Sequence, residues 1–359
     1  MRVMICAAAL LVLLTGQALG AELPGSVREA LPEAAEDFLE EVEFSTAQGF
    51  LAGMGTLWEE LCSRVEGVLR QRLRGAAAVM LVVVLCGAAE GFWQGCGADK
   101  GLALLPMAGT LTITLLTAGD LDSLIGLGCS TIEDLSVFSH ALLPTLAAAT
   151  AAAGSLSTAT VQQVTTVLLV DILISLTRTL LLPLVYLYIA VLTASCALPE
   201  NRLGPLAAGL KKTVTWVLTT ALVAFTLYLS VARVVTGAVD ASSVRMAKAA
   251  ISGAVPVVGG IISEAAETVL AGAGMLKNTI GIFGTLGILA ACAMPFLQLG
   301  VQYLLYKLTA FLAAVLGAPQ LCKLLDGLGG AFGLVLGMTG SCALLLLISV
   351  LTSVAAVTL

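Results

Sequence analysis

The 359-residue chain has little charge, few aromatics and one histidine: 11% of its residues are Asp, Glu, Lys or Arg, and 5% are Phe, Trp or Tyr. Soluble domains carry about 25% charged residues, so an ordinary water-facing surface is excluded. Nine cysteines occur with no CxxC pair and no grouping around His140, whereas a tight metal site needs clustered ligands. Basic residues nowhere form a sizeable patch with interleaved aromatics, which leaves a nucleic-acid-binding face unsupported. No GxSxG, HExxH or paired-aspartate membrane-protease pattern is present. In GPLAAGLKKT, from Gly204 to Thr213, Leu210 separates the second glycine from the lysine, so this is no phosphate loop. Neither a catalytic residue, nor a metal, nor a cofactor is expected.

What the chain does have is apolar length. Hydrophobic residues make up 59%, and the mean hydropathy is +1.04. Runs near the roughly 20 residues needed to cross a bilayer recur at 76–93, 102–119, 135–153, 161–177, 179–198, 213–232, 279–297, 299–318 and 333–356. They are continuous rather than alternating in polarity, which disfavours a β-barrel. The expected class is all-α: a polytopic transmembrane helical bundle of six to nine crossings, with a short N-terminal extramembrane helical segment. Only Arg178 and Pro183 interrupt 161–198, so that stretch is either a hairpin or one long bent helix.

Three regions follow from the charge distribution. Residues 1–20 have Arg2, a short apolar run and Ala18-Leu19-Gly20, which fits a cleaved signal peptide. Residues 21–75 hold the acidity, with eleven acids against five arginines, and read as amphipathic helices outside the cytoplasm. Leu57, Trp58, Leu61, Val65, Val68 and Leu69 share one helical face there, either for docking or for packing on the chain's own membrane domain. Residues 76–359 form the multipass domain, with an acidic loop expected around Asp120, Asp122, Glu133 and Asp134. Orientation signals conflict: Arg202, Lys211 and Lys212 mark a cytoplasmic loop, while Arg70, Arg72 and Arg74 follow a segment that a signal peptide would deliver outside.

Ionised groups inside apolar runs are expensive and need partners or water. Asp171 and Arg178 lie seven residues apart, close to two helical turns, and so share a face; Lys307 sits within QYLLYKLTAFLAAVLG. Structural pairing and a transport path are both open for these three. Gly329, Gly333, Gly337 and Ser341 recur every fourth residue, a small-residue stripe of the kind that lets membrane helices approach closely. Gly281, Gly284 and Gly287 thin another helix. Between Ile251 and Asn278 a broken or re-entrant element is expected. Pro256, Gly259 and Gly260 interrupt the helix, and Glu264, Glu267 and Asn278 then fall on one narrow small-residue face.

The stretch KAAISGAVPVVGGIISEAAETVLAGAGMLKNTIG, with MPFLQLGVQYLLYKLTAFLAAVLG and LLDGLGGAFGLVLGMTGSCALLL, resembles the stage III sporulation protein AE family of endospore-forming bacteria. These are packing and breaker motifs, and no functional residue is carried over. The resemblance implies a multipass protein of the mother-cell membrane facing the forespore, part of a channel or secretion-like apparatus between the two compartments. Its implied partners are other stage III sporulation A membrane proteins, a forespore-side channel partner, membrane lipids and a YidC/Oxa1-type insertase that aids assembly. Self-association through the glycine stripes is a further possibility. No enzyme activity belongs to the family. The competing reading is a secondary transporter, suggested by the broken helix and the intramembrane charges.

Overall fold

The computed structural model describes residues 25–32, 35, 47–95, 104–153, 156–198, 203–254 and 259–355, and nothing but helix, turn and short connection occurs among them. After the single turn α1 (Gly25–Glu29) come α2 (Ala47–Gly95), α3 (Leu104–Ala152), α4 (Leu156–Leu176) and α5 (Leu182–Ala197). The last three are α6 (Gly204–Ala254), α7 (Gly259–Val315) and α8 (Pro319–Ala355). Leu, Val and Ala dominate all of them, and in hydrocarbon a helix is the fold that satisfies every backbone polar group within one segment. Six stretches are long and apolar enough to cross a membrane: 53–92, 105–152, 164–197, 204–228, 274–315 and 319–351. The chain is an integral, multi-pass membrane protein.

The rods are longer than the apolar runs suggested. At 1.5 Å per residue, the 49 residues of α3 span about 74 Å, against a hydrocarbon core of about 30 Å. Two expectations are corrected as a result. Runs 102–119 and 135–153 belong to one helix, and the acidic stretch between them is helical rather than a loop. Runs 279–297 and 299–318 are likewise joined, because Pro295 is accommodated inside α7. One helix, α2, carries both residues 76–93 and the amphipathic stretch before them. The acids of α3 stay helical because protein groups satisfy them: Asp120 meets Arg72, and Asp122 accepts from Tyr186.

The stretch 161–198 resolves as one rod with a wide turn. Residues Thr177–Leu181 adopt π-helical geometry between α4 and α5, and the Leu182 N–H donates to the Thr177 carbonyl five residues back. Pro183, in the first turn of α5, has no N–H and its ring crowds the carbonyl four residues earlier. One widened turn removes that clash without breaking the rod.

Helices α7 and α8 form the central hairpin, closed at Gly317, whose φ of +77° suits glycine. Its core is sealed by close approach. A side chain at Gly284 would meet Leu142 of α3 at 2.6 Å, and one at Gly287 would meet Phe138 at 2.9 Å. Gly281 abuts Val354 of α8, Gly128 of α3 abuts Val335, and Gly327 abuts Leu192 of α5. Phe138 then packs on Phe283 with ring centroids 6.3 Å apart.

Helix α6 ends at Ala254 and α7 begins at Gly259. The expected break at Pro256 falls on residues 255–258, which lie outside the described residues, as do the side chains of Glu264 and Glu267 and the leader 1–20. Gly259 and Gly260 open α7, and Asn278 is exposed beside the buried Ile280.

Candidate functional site: a polar belt across the bundle

Polar groups from all six membrane-spanning rods meet at one level of the bundle. The arginines at 70, 72 and 74 recur every second residue on α2, and one of them points inward. Arg72, with 13% of its side chain exposed, donates to Asp120 of α3 at 3.4 Å and to Gln298 of α7 at 3.3 Å. One and two helical turns beyond Gln298, Gln302 and Tyr306 are buried, and the Tyr306 ring packs edge-on against Phe332 of α8 with centroids 5.2 Å apart. The Gln302 Oε1 atom has no hydrogen-bond partner among the described residues.

The belt continues around the hairpin. Lys307 of α7 pairs with Asp326 of α8, and its ammonium lies 5.7 Å from the Tyr303 ring centroid, a cation–π distance. Tyr188 of α5 donates to the Gly327 carbonyl at 2.9 Å. Lys211 of α6 reaches Gly330, where its Nζ would be 2.8 Å from an added Cβ. Tyr186 of α5 donates to Asp122 of α3 at 3.3 Å. Arg72 and Lys211, which the orientation rule read in opposite senses, therefore occupy similar heights.

Two further pairs lie on the outer face where α3 runs antiparallel to the α4–α5 rod. Arg178 pairs with Glu133, and His140 Nε2 is 3.2 Å from Asp171. Asp171 and Arg178 do project from the same side of their rod, as a separation of seven residues requires, and both reach α3. They are not joined to Lys307, whose partner is in the hairpin.

The glycine stripe of α8 divides between two neighbours. An added Cβ at Gly329 would be 3.2 Å from Tyr306, and one at Gly333 would be 3.3 Å from the Tyr303 ring, both on α7. At Gly337 the nearest atom is Leu218 of α6, at 3.9 Å. A four-residue step advances about 400° at 3.6 residues per turn, so the stripe rotates from one neighbour to the next. The Ser341 hydroxyl donates within its own helix, to the Gly337 carbonyl at 2.7 Å.

Sequence reasoning missed the Arg72–Asp120–Gln298 cluster. Its members are 48 and 226 positions apart, and two of them sat in segments read as outside the membrane. The one available signal was that Gln298, Gln302 and Tyr306 recur at four-residue spacing inside an apolar helix. An apolar cavity of about 830 Å³ was also unforeseen. Met54, Leu57, Trp58 and Leu61 of α2 close it against Cys292 and Phe296 of α7. The amphipathic part of α2 therefore lies on the chain's own membrane domain, with Leu57 buried and Trp58 exposed.

Residues 54–357 match the family model described as stage III sporulation protein AE. The stage III sporulation protein AE of Bacillus subtilis (strain 168) is 24% identical over 216 residues, which cover 60% of this chain and 54% of that relative. No solved structure matches. The family match covers all six membrane-spanning rods, and the chain belongs to the stage III sporulation protein AE family.

Proposed function

We propose that the chain acts in sporulation as a core subunit of a multi-protein channel or secretion-like apparatus in the mother-cell membrane facing the forespore. The observation that carries this reading is the family match over nearly the whole bundle. The packing is consistent with it. Glycine contacts lock α3, α5, α7 and α8 into a closed assembly, as suits a scaffold around which other membrane subunits gather. Its partners are then other stage III sporulation A proteins, with an insertase of the YidC/Oxa1 type aiding entry into the bilayer and a forespore-side protein completing the channel. The test is to delete the chain in the organism that encodes it and to purify tagged full-length protein from sporulating cells. Arrest at stage III and co-purification with other stage III sporulation A proteins are expected. Normal spore formation without the chain would overturn the proposal.

A secondary transporter is the alternative, and the polar belt is what favours it. Membrane transporters hold their substrates with buried polar groups near the bilayer midplane, and Arg72, Asp120, Gln298 and Gln302 form such a group. Full-length protein reconstituted alone in liposomes separates the two readings. Saturable uptake of a small solute that is lost in Arg72→Ala would favour transport, and its absence would favour the core-subunit role.

A further inference from the structure

The outer face formed by α3 and the α4–α5 rod differs from the apolar exposed surfaces of the bundle. Those apolar surfaces present side chains that suit lipid: Leu304, Leu308 and Phe311 on α7, and Leu81, Leu85 and Phe92 on α2. On α3 the exposed residues recur at three- and four-residue spacing as Ser123, Gly126, Ser130, Glu133, Val137 and His140. Opposite them, the exposed part of the other rod includes Asp171, Ser175, Arg178 and Thr179. Small and ionised side chains on a membrane-spanning surface mark helix packing rather than lipid contact. Glu133, Arg178, His140 and Asp171 remain about half exposed even though each already has an intrachain partner.

The signs are arranged in a square. Taking the Gly317 turn as the top of the bundle, α3 carries Glu133 above His140. The neighbouring rod carries Arg178 above Asp171. Acid stands beside base in the upper row, and the order is reversed below, where the imidazole is the donor. A second copy inserted in the same sense is related to the first by a two-fold axis along the bilayer normal. That rotation lays α3 of one copy against the α4–α5 rod of the other at equal height. Glu133 then faces the second copy's Arg178, and His140 faces the second copy's Asp171. Each exposed pair becomes a closed ring of four alternating groups, shielded from hydrocarbon.

From this self-complementary pattern we infer that the face is a two-fold interface, and that its occupant is a second copy of this chain. The small residues Gly126 and Ser130 lie at the seam and let the rods approach. A side chain added at Gly126 meets nothing within 4 Å in the single chain, so bulk there obstructs a neighbour without disturbing the monomer. The surface follows from geometry and charge, independently of the role in sporulation.

The test uses cysteine-free full-length chains in native-lipid liposomes. Ser130→Cys in one tagged copy and Thr179→Cys in a differently tagged copy should cross-link to each other. Gly126→Trp should lower that yield at least about tenfold with the melting temperature unchanged. A second variant keeps each intrachain pair: Glu133→Arg combined with Arg178→Glu. Chains with this swap should cross-link among themselves, yet mix with wild-type chains at least about tenfold less than at random, because like charges would then face each other. Failure of the two wild-type-face chains to cross-link would overturn the inference. So would random mixing of swapped and wild-type chains, full yield in Gly126→Trp, or cross-linking of this face only to a different protein.

Discussion

Gly333 and Gly337 have identical spacing signals, yet their surroundings differ. A Cβ at Gly333 already sits 3.3 Å from the Tyr303 ring, whereas at Gly337 the nearest atom is the flexible tip of Leu218 at 3.9 Å. Gly333→Leu should therefore force α7 and α8 apart and destabilise the protein by about 1–3 kcal/mol, the usual range for overpacking. Gly337→Leu should cost less than half as much, and thermal unfolding in detergent ranks the two. Arg72 poses the opposite case, a group whose loss leaves partners behind. Gln298 and Asp120 both lose a donor in Arg72→Ala, and an orphaned polar group costs about 1–3 kcal/mol. Asp120 is 38% exposed and can rehydrate, which places the expected loss in the lower half of that range. The same unfolding measurement checks it, and a melting temperature equal to wild type would contradict the assigned role of the cluster.

Among the elements, the α4–α5 rod depends most on one residue. Pro183 accounts for the π-helical turn at Thr177–Leu181, and that turn sets where Arg178 projects. In Pro183→Ala the missing N–H is restored and the steric reason for the wide turn is gone. The rod should relax to regular α-helix, turning Arg178 away from Glu133. Intrachain cross-linking between Glu133→Cys and Arg178→Cys should then fall at least about fivefold in the alanine background, since a wide turn adds one residue, about 100°, to the helical register. Undiminished cross-linking would mean that the turn has another cause. At this scale the sequence was informative about type and weak about extent. Apolar composition was enough to read helices, and the interruption at Arg178 and Pro183 was visible as a bend or a turn. The continuity of α3 was not visible. Asp120, Asp122, Glu133 and Asp134 look like a loop until Arg72, Tyr186 and Arg178 are known to satisfy three of them. Those partners come from other rods, and no local pattern announces them.

At the scale of the whole molecule, six rods interlock through glycines on four of them and share one polar level. Gly281, Gly284 and Gly287 were legible as thin points, because small residues on a membrane helix have a narrow range of uses. Which neighbour each would meet was not, since that depends on how α3 and α8 lie along α7. The heights of the Arg72, Lys307 and Tyr188 groups, the cross-copy pairing of Glu133 with Arg178, and the contacts at Gly128 and Gly284 all require α3 to be one uninterrupted rod. Two spans joined by an acidic loop would fold residues 105–118 back beside 135–152 and dissolve the belt. The most direct measurement is the distance between spin labels at Thr112→Cys and Ala148→Cys, both exposed positions, in cysteine-free protein reconstituted in lipid. One continuous α3 requires about 54 Å between their backbones at 1.5 Å per residue. A distance near 10–20 Å, as adjacent antiparallel helices packed about 8–10 Å apart would give, would contradict it.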